Sequence, residues 1–221
     1  MKTTCLLILV SLFCCVAAQA ETLAEWNFDG IDTASTQNDP PYPANITINA
    51  GLTNATVHHS QPGMIRNTQD AYRARDWDEA SNVASAITLG RYFTVQFNAE
   101  EGSGMNLTNF TVYVDEAAGS GDELGYAVTS GVLGHDAAQL LASGTLADGD
   151  PLEMVSIDLS GGTYDGLSDI EFRIYAWNIT GVIAPEAFTI GNSSKTDGIA
   201  DIQLSGMISS SAQLGTRFII K

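Results

Sequence analysis

Residues 169–177 read Asp-Ile-Glu-Phe-Arg-Ile-Tyr-Ala-Trp. Ile170, Phe172, Ile174 and Ala176 alternate with Glu171, Arg173, Tyr175 and Trp177. Successive side chains of a strand point to opposite faces, so this segment reads as a strand with one apolar face and one polar, aromatic face. The same period of two recurs outward along the chain. Phe93, Val95 and Phe97 alternate with Tyr92, Thr94 and Gln96, and Phe110, Val112 and Val114 with Thr111, Tyr113 and Asp115. Val155, Ile157 and Leu159 do the same, as do Ile202 with Leu204, Ala24 with Trp26 and Phe28, and Ile46 with Ile48. Alternation repeated this often marks half-buried strands packed in two sheets. The chain is expected to be all-β, a two-sheet antiparallel β-sandwich.

Turn material separates the runs: Gly102-Ser103-Gly104, Gly119-Ser120-Gly121, Asp148-Gly149-Asp150 and Gly161-Gly162. No stretch sustains a helical period, and a short helical turn is expected within residues 76–84. Residues 29–44 hold three of the six prolines and read as a surface loop.

The ends set the compartment. Lys2 precedes an apolar run, Cys5 to Ala18, and Ala18-Gln19-Ala20 gives the small-x-small pattern of a signal-peptidase site. That run is too short to span a bilayer comfortably, so no membrane span is expected after cleavage. Residues 1–20 are expected to be a signal peptide, 21–208 the sandwich domain, and 209–221 a flexible tail. The product is expected to be secreted or displayed at the cell surface. All three cysteines (Cys5, Cys14, Cys15) fall in the leader, so the domain must be held by its core and not by disulfides. The formal net charge of −17 disfavours nucleic acid, because a polyanion needs a basic surface.

Several phrases resemble a family of exported bacterial proteins, many of which carry a Pro-Glu-Pro sorting tail (the PEP-CTERM type). They are Leu23-Ala24-Glu25-Trp26-Asn27-Phe28, Asp76-Trp77 ahead of Tyr92-Phe93-Thr94-Val95, and Met105-Asn106-Leu107-Thr108. Phe172-Arg173-Ile174-Tyr175-Ala176-Trp177 and residues 199–206 complete the set, which runs in order along nearly the whole mature chain. No Pro-Glu-Pro occurs in this sequence. The resemblance implies a jelly-roll-like sandwich similar to carbohydrate-binding modules.

No catalytic motif emerges. Gly-x-Ser-x-Gly and His-Glu-x-x-His are absent, as is the Glu-x-Asp-x-x-Glu strand of laminarinase-like glycosidases. The chain is therefore expected not to be an enzyme. His58 and His59 are adjacent, and on a strand would face opposite ways; His135-Asp136 lies in a glycine-rich turn.

Arg173, Tyr175 and Trp177 share a face and form the candidate ligand site, with Trp77 as a further aromatic candidate. Rings stack on sugar C–H faces while a guanidinium bonds hydroxyls. The other reading is that Tyr175 and Trp177 cap the sandwich beneath a covering loop. Asp29, after the first strand, and Asp201, before the last, are the candidate ligands of a structural calcium, a hard cation suited to oxygen donors. Asp32 and Asp197 adjoin them.

The six Asn-x-Ser/Thr sites (Asn45, Asn54, Asn106, Asn109, Asn178, Asn192) read as ordinary turn and edge residues. The function expected is a secreted, non-catalytic module that binds extracellular polysaccharide or glycan. The alternatives are a structural protein of matrix or envelope without a soluble ligand and, third, a polysaccharide-cleaving enzyme.

Overall fold

The computed structural model describes residues 20–29, 42–60, 72–75, 80–116, 123–146, 152–178, 187–191 and 198–210. In chain order the elements are β1 (Glu21–Trp26), β2 (Tyr42–Pro43), β3 (Thr47–Ile48), β4 (Leu52–His59), β5 (Tyr72–Arg75), α1 (Val83–Leu89) and β6 (Tyr92–Ala99). There follow β7 (Ser103–Glu116), β8 (Leu124–Ser130), β9 (Ala142–Leu146), β10 (Glu153–Asp158), β11 (Asp169–Trp177), β12 (Ala187–Ile190) and β13 (Ile202–Ser210). Every strand pairing is antiparallel, and the strands form two sheets. The protein is an all-β sandwich.

One sheet has the order β3-β1-β13-β7-β12-β5, with β10 also on β7. Val112 pairs with both Val155 and Ile202, and Val114 with both Glu153 and Ile190. A strand has two edges, so β13 and β12 lie end to end along one edge of β7 and β10 lies on the other. The second sheet runs β2-β4-β6-β11-β8-β9.

The alternating apolar residues make the core between the sheets. Phe110 of β7 stacks on Phe172 of β11 at 4.2 Å and 5°, and Trp26 of β1 meets Phe97 of β6 edge-on at 5.6 Å. Such pairs contribute roughly 0.5–1.5 kcal/mol beyond their burial.

The structure differs from the sequence reading in several places. Only Thr47 and Ile48 of residues 45–50 form strand, and Ile46 and Ile48 are 58% and 48% exposed. β3 is the edge strand beside β1, and alternation at an edge does not guarantee a covering layer. The helix is Val83–Leu89, overlapping residues 76–84 only at its start. β4, β8, β9 and β12 are strands that alternation did not reveal. The stretch expected to be loop contains β2 and the buried Ala44. β13 runs on through Ser209 and Ser210, paired with Gly104 and Ser103.

Candidate functional site

The site lies on the outer face of the second sheet. Pairing registers place His58, Thr94, Arg173 and Thr129 in one row across β4, β6, β11 and β8. Thr56, Gln96 and Glu171 form the row on one side, and Tyr92, Tyr175 and Ala127 the row on the other.

A short helix covers the Tyr175 end of this face. Its N-terminus is closed by a reciprocal pair: Asn82 accepts from the Ser85 amide at 3.0 Å, and Ser85 Oγ accepts from the Asn82 amide at 3.1 Å. Gly90 ends it in the left-handed conformation. Ala80 and Ala86 then pack on Tyr175, which is completely buried, and Tyr92 and Trp177 lie at the margin of this cluster. Trp177 lies flat on β8: a Cβ on Gly125, its cross-strand partner, would fall 2.0 Å from the indole.

The expected arrangement of Arg173, Tyr175 and Trp177 as one open strip is therefore corrected at Tyr175. The three share a face, but α1 roofs the phenol ring and no sugar can stack on it. Arg173 remains at the helix margin, 28% exposed beside a 30% exposed Glu171. Trp77 lies outside the described residues.

Arg173 belongs to a chain of linked side chains that runs through Glu171 and His135 to Thr129. Its Nε donates to Glu171 Oε1 at 2.5 Å, and Glu171 Oε1 faces His135 Nε2 at 3.4 Å. His135 Nδ1 is 2.7 Å from Thr129 Oγ1. The Tyr175 hydroxyl lies close to both Thr129 and Arg173.

One set of donors satisfies all of it. A carboxylate beside Nε2 favours the proton there, so Nδ1 accepts from Thr129. Thr129 has one proton and gives it to His135. Burial, then the Arg173 charge, hold the His135 pKa below its ordinary value, with Glu171 opposing. Burial pulls Arg173 down, but the Glu171 carboxylate, which accepts from its Nε, together with Tyr175 and Tyr92 outweighs it, and the net direction is up. Burial raises the Tyr175 phenol. The guanidinium also lies over the Tyr92 ring, 4.3 Å from its centroid.

The sequence did not single out His135, Thr129, Glu171 or Tyr92. His135 comes from the segment between β8 and β9, and nothing local signals that this segment folds back over β11. Beside Arg173, the Thr94 hydroxyl is buried without a hydrogen-bond partner. A buried polar group left so costs about 1–3 kcal/mol. His58 and His59 do not diverge: their rings stack at 4.6 Å and 15° at the end of β4.

Asp29 and Asp201 meet at the corner where β1 ends and β13 begins. Asp201 Oδ2 accepts from the Phe28 amide at 2.6 Å, and its own amide donates to Trp26 O at 2.7 Å. Asp29 Oδ2 accepts from the Gly198 amide at 2.8 Å and from Asn27 Nδ2 at 3.2 Å. Asp29 Oδ1 is buried with no hydrogen-bond partner. A Cβ on Gly191 would stand 2.9 Å from the Asp201 carboxyl, and Gly191 has φ +93°, so this corner accepts only glycine there. Among the described residues no group of three or more His, Cys, Asp or Glu is placed to hold a metal. Asp32 and Asp197 lie outside them.

No protein-family model matches the chain, and no curated protein matches it. Among solved structures it is similar to the CBM22-1 xylan-binding domain of Paenibacillus barcinonensis Xyn10C, at 14% identity and a TM-score of 0.42, over 86% of this chain and 97% of that one. It is also similar to the Stig cyclase Fisc of Fischerella sp. TAU, at 12% identity and a TM-score of 0.35, over 86% and 98% of the two chains. At these values neither likeness carries an argument about activity.

Proposed function

We propose that this chain is an exported β-sandwich module that binds extracellular carbohydrate on the outer face of the β2-β4-β6-β11-β8-β9 sheet and catalyses no reaction there. The observation that carries this reading is the half-exposed Arg173–Glu171 pair on this face. The hydrogen bond to Glu171, itself held beside His135, and the contact with the Tyr92 ring fix the guanidinium in advance, so little side-chain entropy remains to be lost on binding. Thr56, Gln96 and Asn98, half-buried on the same face, supply neutral donors and acceptors for sugar hydroxyls.

Pull-downs on insoluble polysaccharides together with a glycan array test it, with Arg173→Lys as the probe. Lysine keeps the charge and loses the planar fork. Loss of one charged hydrogen bond, about 1.5–3 kcal/mol, corresponds to roughly ten- to a hundredfold weaker binding. Binding unchanged in Arg173→Lys would remove this face from consideration.

The second reading is a structural protein of matrix or envelope. The burial of Tyr175 and the seating of Trp177 on Gly125 favour it, because they turn both aromatic residues of the expected strip into packing. Co-fractionation with envelope or biofilm in the presence of competing sugars separates the two.

We propose in addition that the corner of Asp29 and Asp201 takes a calcium ion. The buried, unpartnered Asp29 Oδ1 supports this, since a hard cation satisfies such an oxygen.

A further inference from the structure

We infer that the face carrying Arg173 selects uncharged polysaccharide and rejects chains bearing uronate or sulfate. The inference rests on the carbohydrate-binding reading above and assigns its ligand class. Arg173 is the only lysine or arginine in β2, β4, β6, β8, β9 or β11, or in α1. An isolated arginine in a binding face would read as an anion anchor. This one is already neutralised: its Nε is spent on Glu171 at 2.5 Å, and its guanidinium carbon stands 4.3 Å from the centre of the Tyr92 ring.

Asp169, two residues before Glu171, is exposed on the same face of β11, so the strand carries two acids against one base. His135, which faces Glu171 at 3.4 Å, is held toward its neutral form by burial and by Arg173. The groups on β4 and β6 that border the pair are Thr56, His58, Tyr92, Thr94, Gln96 and Asn98, amides, hydroxyls and rings without fixed charge. The charge of −17 on the whole chain adds long-range repulsion of any polyanion. What remains is hydrogen-bonding capacity without net positive potential, which suits hydroxyls and not carboxylates.

The test is affinity electrophoresis and calorimetry of the full mature chain against arabinoxylan, glucomannan and mixed-linkage β-glucan on one side, and alginate and polygalacturonate on the other. The expected result is retention by at least one neutral polymer, at an affinity insensitive to sodium chloride, with acidic polymers about tenfold weaker or unbound at low salt. Glu171→Gln frees the guanidinium charge, and the ratio of acidic to neutral binding is expected to rise about tenfold and to fall again with salt. Binding of acidic polymers as tightly as neutral ones by the wild type leaves the carbohydrate reading standing and overturns this inference alone. Binding of neither set removes both together. Should Glu171→Gln fail to fold, the salt dependence of the wild type decides: affinity that falls steeply with salt means that Arg173 is reaching an anion, and the inference is wrong.

Discussion

His135 is flanked by Arg173 and Glu171, and the two charges act on it in opposite senses while burial outweighs both. In the unfolded chain the imidazole titrates at its ordinary 6.5, and in the folded chain it titrates lower. Between the two values the unfolded chain holds the extra proton. The stability contributed by neutral His135 is therefore present above 6.5 and lost as pH falls toward the folded value. Chemical denaturation at about pH 7.5 and about pH 5.5 should show a loss on acidification that is smaller in His135→Gln, the difference isolating this residue from the many carboxylates. An equal loss in both proteins would mean that the contacts of His135 with Thr129 and Glu171 do not depend on its being neutral. Trp177 offers a second test at this scale. In Gly125→Ala the new methyl group must displace the indole, at a cost of about 1–3 kcal/mol read as a lowered melting temperature. Arg173 was legible from alternation alone, whereas the burial of Tyr175 was not. A period of two says which side chains share a face and says nothing of what lies on top of it.

At the level of elements, α1 decides how much of the site is open. It has seven residues, too few to persist in water without tertiary support. Its stability comes from its caps and from Ala86 against Tyr175. Asn82→Ala removes the side-chain acceptor for the Ser85 amide and should cost about 1 kcal/mol. The cost should appear as faster hydrogen exchange in α1 and around Tyr175, with exchange in β7 and β13 unchanged. Uniform acceleration throughout would show instead that the helix unfolds only with the whole domain. The caps could have been read from the sequence, since Asn82 precedes and Gly90 follows the helix. They were obscured because Val-Ala-Ser-Ala-Ile-Thr-Leu is rich in β-branched residues and has no long apolar stripe. β8 was missed for a related reason. Leu124–Ser130 is buried along its whole length, with the core beneath and α1 above one end, so Leu-Gly-Tyr-Ala-Val-Thr-Ser has no polar face to alternate with. β6, β7, β10 and β11 bury only one face against the core, and each was legible for that reason.

At the scale of the whole molecule, the chain closes on itself where β1 and β13 pair from Glu21 with Gly206 to Trp26 with Ile202. Below that pairing the two aspartates divide the work. Asp201 is committed to the fold: its carboxylate holds the Phe28 amide, and its backbone bonds Trp26 on one side and Tyr113 on the other. Asp201→Ala would leave the Phe28 amide buried and unpaired, so it should lower stability by about 1–3 kcal/mol whether or not calcium is present. Asp29 differs, because one oxygen anchors Gly198 while the other has no partner. If that oxygen receives the cation proposed above, the ion binds only the folded chain. Stability then rises by mass action, by about 2.7 kcal/mol at a hundredfold excess over the dissociation constant. Simple screening of the net charge of −17 would also stabilise the fold, so the comparison is made at constant ionic strength. Thermal melts with calcium, with chelator and with sodium chloride alone should give a higher midpoint only with calcium. Asn at position 29 keeps the side-chain shape and an acceptor for Gly198 but removes the charge, so Asp29→Asn should abolish the calcium increment while leaving the chelator midpoint near that of the wild type. Equal midpoints with calcium and chelator in the wild type would dispose of the ion, and Asp29 Oδ1 would then be an oxygen satisfied by water.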